Sequence, residues 1–330
     1  MTEVQAAPTA DAAEEAGARG VADLASRQRL AQARGPKPTR VVSARTSIWL
    51  RLRELWRSRE LFFFLVRKEI KVKYMNSFLG FLWSMLNPAF NLAVFFVLFT
   101  FFLKNGIPYF VIYLFSAILV WNLFQSGVMS GTGVMVANSG IVKKVAFPRE
   151  ILALASVGAS VMFFVFQSTV LVIFMLVFWH RPAWSDIWLL VPALAAVILF
   201  TTALSVFLSA VNVYLRDVQH LVEVILAAWF WAIPGIYAYG QVAPKLHLKG
   251  LLWLYFLNPL TPAVMTFQRF FYANVTAVNT VTHQPSQMLA NYGTHWYVSA
   301  DLAVIAVSLV LLVGALYVFG RIEGNFAEEL

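Results

Sequence analysis

The chain has 330 residues, of which 60% are hydrophobic and 12% charged, with a formal net charge of +9. So much apolar surface cannot be hidden in one soluble core, so part of the chain must use lipid as its solvent. The absence of cysteine excludes disulfide staples, thiol catalysis and thiolate metal sites, and in a membrane protein a basic excess reports topology before it reports nucleic acid.

Residues 1–45 are rich in alanine and mixed charges, with Gly-Pro-Lys-Pro at 35–38. They hold too few large apolar side chains to fold alone, and predict a disordered cytoplasmic tail. The tail has no apolar core with a cleavage site, so the first hydrophobic helix is expected to act as the insertion signal. Residues 46–78 form the next unit, an amphipathic interface helix running into a basic segment. Ile48, Trp49, Leu52, Leu55, Trp56 and Phe63 share one arc at helical spacing, while Arg51, Arg53, Glu54, Arg57 and Glu60 point elsewhere. Such a basic, tryptophan-bearing helix suits the surface of an anionic leaflet.

Residues 79–330 predict an all-α membrane domain. The stretches 74–103, 105–142, 151–179, 187–215 and 302–320 contain no Asp, Glu, Lys or Arg, and each is long enough to cross ~30 Å of hydrocarbon as a helix. A sixth, 224–244, carries Pro234-Gly235 near its middle. The expected spans are 79–103, 109–136, 151–179, 187–213, 221–241 and 299–320, with no charge at their centres. Between the last two, 243–298 is broken by Asn258-Pro259 and Pro262. Its apolar pieces at 251–257 and 263–271 are too short to cross, and read as short re-entrant helices dipping in from outside. Such backbone survives in a membrane only where protein or a water-filled cavity satisfies it.

With the N-terminus inside, 1–79, 138–150, 214–222 and 321–330 are cytoplasmic, and 20 of the 25 Lys and Arg fall there. The short loops say the same: Lys143, Lys144 and Arg149 lie inside, against Arg181 alone in the second external loop. Both termini are thus expected in the cytoplasm. Gly127-x-x-x-Gly131 reads as a place of close helix approach.

Three local patterns are more specific than hydropathy. RKEIKVKY at 67–74 leads into LGFLWSMLNP at 79–88; KKVAFPRE occupies 143–150; YLRDV occupies 214–218. At this spacing the chain, over roughly 55–330, resembles the membrane subunit of type-2 ABC exporters for polysaccharides, the class of O-antigen, teichoic acid and cell-wall galactan permeases. The closing segment 320–330 is similar to that of actinobacterial galactan permeases.

The resemblance implies a homodimer of six-span subunits in the cytoplasmic membrane, each docked on a separate nucleotide-binding subunit, with short external gate helices between spans five and six. No G-x-x-x-x-G-K-[ST] phosphate loop occurs in the chain. ATP and Mg²⁺ are accordingly expected on the partner, and no cofactor on this chain. Lys143, Lys144, Phe147, Pro148, Arg149 and Glu150 are the expected ATPase-coupling loop, with the cations available to acidic groups of the partner and Pro148 suited to start a helix.

Arg67, Lys68, Lys71, Lys73 and Tyr74 stand where the pyrophosphate of a lipid carrier would lie at the inner leaflet, and cations there offset its charge. Trp121, Asn122, Phe124 and Gln125 combine aromatic faces and amides, which suits a sugar chain along a translocation path. Arg216 and Asp217 are read as a mutually neutralising pair at the cytoplasmic boundary. The five histidines show no metal-ligand spacing. The expected function is ATP-driven export of a polyprenyl-linked glycan, cell-wall galactan or O-antigen-like. The alternatives are an ion-coupled carrier or a membrane-embedded glycan-modifying enzyme.

Overall fold

The computed structural model describes residues 48–75, 80–102, 109–235, 237, 239–240, 248–272, 276–278, 285–287 and 289–330. The expected tail lies outside these residues, as do the side chains of Ile48, Trp49, Leu52 and Tyr74. The described chain is helical apart from one short antiparallel hairpin, β1 (Thr276–Val278) with β2 (Pro285–Gln287).

The amphipathic segment forms two helices rather than one, α1 (Ile48–Arg57) and α2 (Arg59–Tyr74), which meet at Ser58. The Ser58 N–H donates to the Glu54 and Leu55 carbonyls, so the chain turns without losing its backbone bonds. Gly158 gives α2 room on its neighbour, since a Cβ there would stand 2.9 Å from Phe62 and Val66.

Four helical runs are long and apolar enough to cross a membrane: Phe110–Ala137, Glu150–Val177, Trp184–Tyr214 and Thr294–Asn325. They contain α4 (Phe110–Ala137), α6 (Glu150–Val177), α7 (Leu190–Tyr214) and α11 (Thr294–Ile322). Short helix α5 (Ser139–Lys144) joins α4 to α6. The other two expected spans are shorter. α3 (Trp83–Val97) contains Pro88 and loosens into a π-turn at Leu98–Phe102. α8 (Val218–Phe230) stops before Pro234-Gly235, because proline offers no N–H to continue the ladder.

α4 is the centre of the bundle, buried on nearly every side between α6, α7 and the short helix α10 (Leu260–Tyr272). It approaches α7 closely. A Cβ added at Gly127 or Gly131 would lie 2.5 Å from Thr201 Cγ2 or Ser205 Cβ respectively, and the Ser205 hydroxyl donates to the Gly127 carbonyl at 2.9 Å. The G-x-x-x-G stripe therefore does the packing expected of it.

Two backbone carbonyls just beyond α8 find partners inside the protein. The Pro234 carbonyl accepts from the Gln268 amide at 2.5 Å and the Tyr113 hydroxyl at 3.3 Å. Asn258 fastens the broken end of α8 to the start of α10: its Oδ1 accepts from Trp229 Nε1 and the Leu260 N–H at 3.1 Å each, and its amide donates to the Ala232 carbonyl. The region expected to dip into the membrane thus contains two short helices, α9 (Leu252–Leu257) and α10, and they differ. α10 is buried along 12 of its 13 residues, whereas no α9 residue is buried.

Candidate functional site

Charged and hydrogen-bonded residues gather at one end of the bundle, where α4, α7 and α11 finish and α6 starts. Asn138 ends α4; its amide donates to the Val134 carbonyl at 3.0 Å and its Oδ1 accepts from Lys68 Nζ at 2.7 Å. α5 follows, anchored by buried Val142, and presents Lys143 and Lys144 to the outside. Phe147 packs on the apolar core at this end. Just beyond Pro148 the chain turns into α6, with the Ile151 N–H on the Pro148 carbonyl at 3.2 Å.

The other two polar members of this segment are held inside the subunit. Glu150 is almost fully buried and accepts from Arg51 Nη1 at 2.5 Å. Arg51 Nη2 also pairs with Glu323, at the turn after α11. Arg149 donates to the Glu323 carbonyl and sits 5.8 Å over the Phe326 ring. Arg51 was expected to point away from the apolar arc of its helix; it is nonetheless buried, at 8% exposure, because two carboxylates compensate its charge. Sequence periodicity could not anticipate this, since the acids lie 99 and 272 residues away.

The remaining expected residues separate into exposed and packed groups. Arg67, Lys71 and Lys73 are exposed at the end of α2, with Lys73 Nζ 4.0 Å over Phe163, while Lys68 is committed to Asn138. Trp121 and Phe124 are buried among Phe200, Trp229 and Phe230. Asn122 and Gln125 are half-buried, and the Asn122 amide donates to Gln167 of α6 at 2.9 Å. Arg216 and Asp217 are both exposed, and among the described residues no ion pair joins them. Asp217 instead precedes α8, where a carboxylate favours the helix N-terminus.

Two polar sites at the opposite end escaped the sequence reading. Arg269 of α10 pairs with Asp186 at 2.7 Å, donates to the Tyr292 carbonyl at 3.0 Å and to Thr294 Oγ1 at 3.3 Å, and lies 4.8 Å over the Tyr297 ring. Nearby, His180 Nε2 bonds the Phe271 carbonyl at 2.9 Å. Burial lowers the imidazole's pKa below its usual value, partly opposed by the Phe271 and Tyr272 carbonyls. The second site is Asp301. Because α11 begins at Thr294, this carboxyl lies inside the helix, fully buried, with Thr266 Oγ1 at 2.9 Å. Asp301 lies within the expected span 299–320 but near its start, so the centres of the described spans stay without charge. Asp301 sits seven residues, about 10 Å, into its helix, nearer the end than the middle. Among the described residues no cluster of three or more His, Cys, Asp or Glu is arranged to hold a metal.

A bundle with four helices long and apolar enough to cross a membrane is the fold of a multi-pass membrane protein. The chain belongs to the ABC-2 type transporter membrane family, whose model matches residues 60–272. It is 30% identical over 282 residues to an O-antigen export system permease protein of Myxococcus xanthus, covering 84% of this chain and 98% of that protein. A permease of the same description from Klebsiella pneumoniae is 25% identical over 271 residues, 82% of this chain and 95% of its own length. The chain is a transport permease rather than an enzyme, and its family implies a separate ATPase subunit as partner.

Proposed function

We propose that this chain is the membrane half of an ATP-driven exporter of a lipid-linked polysaccharide, working in the cytoplasmic membrane as a homodimer with two copies of an ATPase subunit that hold ATP and Mg²⁺. The observation that carries the reading is the 139–150 segment: Lys143 and Lys144 are free and exposed, while the residues behind them are clamped. A lever needs that combination of available contacts and a stiff base. The N-terminal tail and both chain ends lie in the cytoplasm, as the distribution of basic residues favours.

Six crossings complete the bundle. α3 with its π-turn totals 20 residues, about 30 Å of rise; the fifth crossing is α8 with the broken segment after it. Arg67, Lys71 and Lys73 meet the carrier's pyrophosphate at the inner leaflet, with Lys68 and Tyr74 at its margin. Asn122 and Gln125 edge the glycan path, and Trp121 and Phe124 shape it from behind. α9 and α10 form the external gate. The glycan is cell-wall galactan or O-antigen-like: the described relatives favour O-antigen, the closing segment galactan. Family membership gives no support to an ion-coupled carrier or a glycan-modifying enzyme.

The test is copurification with the ATPase subunit. Lys143→Glu combined with Lys144→Glu is expected to reduce recovered ATPase at least tenfold while leaving the permease monodisperse in detergent, because both side chains are solvent-facing. Undiminished copurification would remove these lysines from the coupling surface.

A further inference from the structure

We infer that Arg51 is a positioning residue for coupling: its guanidinium joins the coupling segment, the interface helix and the C-terminal turn into one rigid unit, so that displacement of Lys143–Lys144 is delivered to α1 and α11 rather than absorbed by the loop.

The joint is built from three distant parts of the chain. One guanidinium spans Glu150, which opens α6, and Glu323, which closes α11, while Arg51 itself belongs to α1. The side chains are 8%, 3% and 14% exposed, so water contributes little to these pairs. Space for the guanidinium is made by Gly320: a Cβ there would lie 2.5 Å from Arg51 Cζ and 2.5 Å from Nη2. A second set of contacts runs parallel to the first. Arg149 reaches the Glu323 carbonyl, Phe326 is buried against Phe319 at 5.3 Å between ring centroids, and the Tyr214 hydroxyl donates to the Ile322 carbonyl at 2.8 Å. The end of α7 is thereby tied to the same turn.

A guanidinium is suited to this joint because it is planar, permanently charged and able to serve two carboxylates from one fixed fork. An ammonium carries the charge without the fork. Arg51→Lys therefore separates the geometric role from the electrostatic one. None of Arg51, Glu150 and Glu323 is available to an incoming partner, which distinguishes this joint from the docking surface at Lys143 and Lys144.

The inference rests on the ATPase-coupled reading above, and its test distinguishes the two. The purified complex of permease and ATPase subunit, in vesicles loaded with a lipid-linked glycan, is assayed for ATP hydrolysed and glycan translocated. Arg51→Lys is expected to keep hydrolysis per complex within about twofold of wild type while glycan moved per ATP falls at least tenfold. An unchanged ratio, or hydrolysis and translocation falling together, overturns the role of Arg51. A wild-type complex that moves no glycan with ATP overturns the functional reading itself.

The chain's lack of cysteine provides a second measurement that needs no partner. Spin labels at Arg57→Cys and Glu329→Cys, with the labelled chain diluted into an excess of unlabelled chain, should give one narrow distance distribution in the otherwise unaltered chain and a broadened one with Arg51→Lys. Identical distributions would show that Arg51 does not hold the three segments together.

Discussion

Gly131→Leu is expected to prevent accumulation of folded protein. A Cβ at this position would lie 2.5 Å from Ser205 Cβ, 2.7 Å from its hydroxyl and 3.3 Å from its Cα, so the obstruction is next to backbone and cannot swing aside. α4 and α7 would have to separate, which also costs the Ser205–Gly127 hydrogen bond and the Thr201–Gly127 contact one turn away. Overpacking a close-packed site costs about 1–3 kcal/mol and sometimes more, and an interhelical hydrogen bond in a membrane adds about 0.6 kcal/mol. α4 is the helix on which α6, α7 and α10 all lean, so the loss is not confined to one interface. Gly314→Leu is the control: it is exposed on α11 with nothing within 4 Å of the added Cβ. Gel-filtration yield and thermal unfolding in detergent should show Gly314→Leu near wild type and Gly131→Leu lost. Equal recovery of the two would mean that α4 and α7 are not in such close contact.

Arg269→Ala is expected to release α10 from the end of the bundle where α7 and α11 begin. The guanidinium bonds Asp186 before α7, Tyr292 and Thr294 at the entrance to α11, and lies over Tyr297. Removing it leaves the Asp186 carboxylate without its partner at 17% exposure, together with two acceptors. Breaking a buried pair costs about 3–5 kcal/mol, and the low end applies here because Arg269 retains 22% exposure. The Asn258 and Gln268 bonds persist, so α10 should loosen rather than unfold. Protease cleavage and maleimide labelling of a cysteine placed at Thr294 should both accelerate more than tenfold relative to the same cysteine with Arg269 intact. Asp186→Asn, which keeps a hydrogen-bond acceptor, should produce a smaller change. No acceleration in Arg269→Ala would mean that α10 is held by its other contacts alone.

α9 and α10 are held in different ways. α10 is tied at Pro234, Asn258, Asp186 and Asp301, whereas α9 is without buried residues. α9 is held by half-buried rings instead: Tyr255 and Phe256 pack against Tyr239, and Phe256 also meets Tyr292 and Trp296.

What the amino-acid order made legible is whatever acts over one or two helical turns. The charge-free runs become α4, α6, α7 and α11, Asn258-Pro259 becomes a break held by the Asn258 side chain, and the Gly127-Gly131 stripe becomes the approach to Ser205. The composition of 79–103 and 221–241 could not reveal their true helix lengths. A π-turn at Leu98–Phe102 and the stop before Pro234 depend on which neighbours satisfy the freed backbone groups. The ion clusters were invisible for another reason. Arg51 points away from the apolar arc of its own helix, and only the arrival of Glu150 and Glu323 makes its burial tolerable. Asp301 falls inside the expected span 299–320, but its burial and its Thr266 partner, 35 residues away, could not be read from local pattern. Within the expected coupling segment, sequence could not show the division into exposed Lys143 and Lys144 and internally committed Arg149 and Glu150.

The most direct test of the central claim is reconstitution of the purified chain with its ATPase subunit in vesicles carrying a polyprenyl-linked glycan, followed by the appearance of that glycan on the opposite face. The account predicts translocation that requires both subunits and hydrolysable ATP, and that stops with Lys143→Glu and Lys144→Glu. Translocation by this chain alone, or driven by an ion gradient in the absence of ATP, would contradict it.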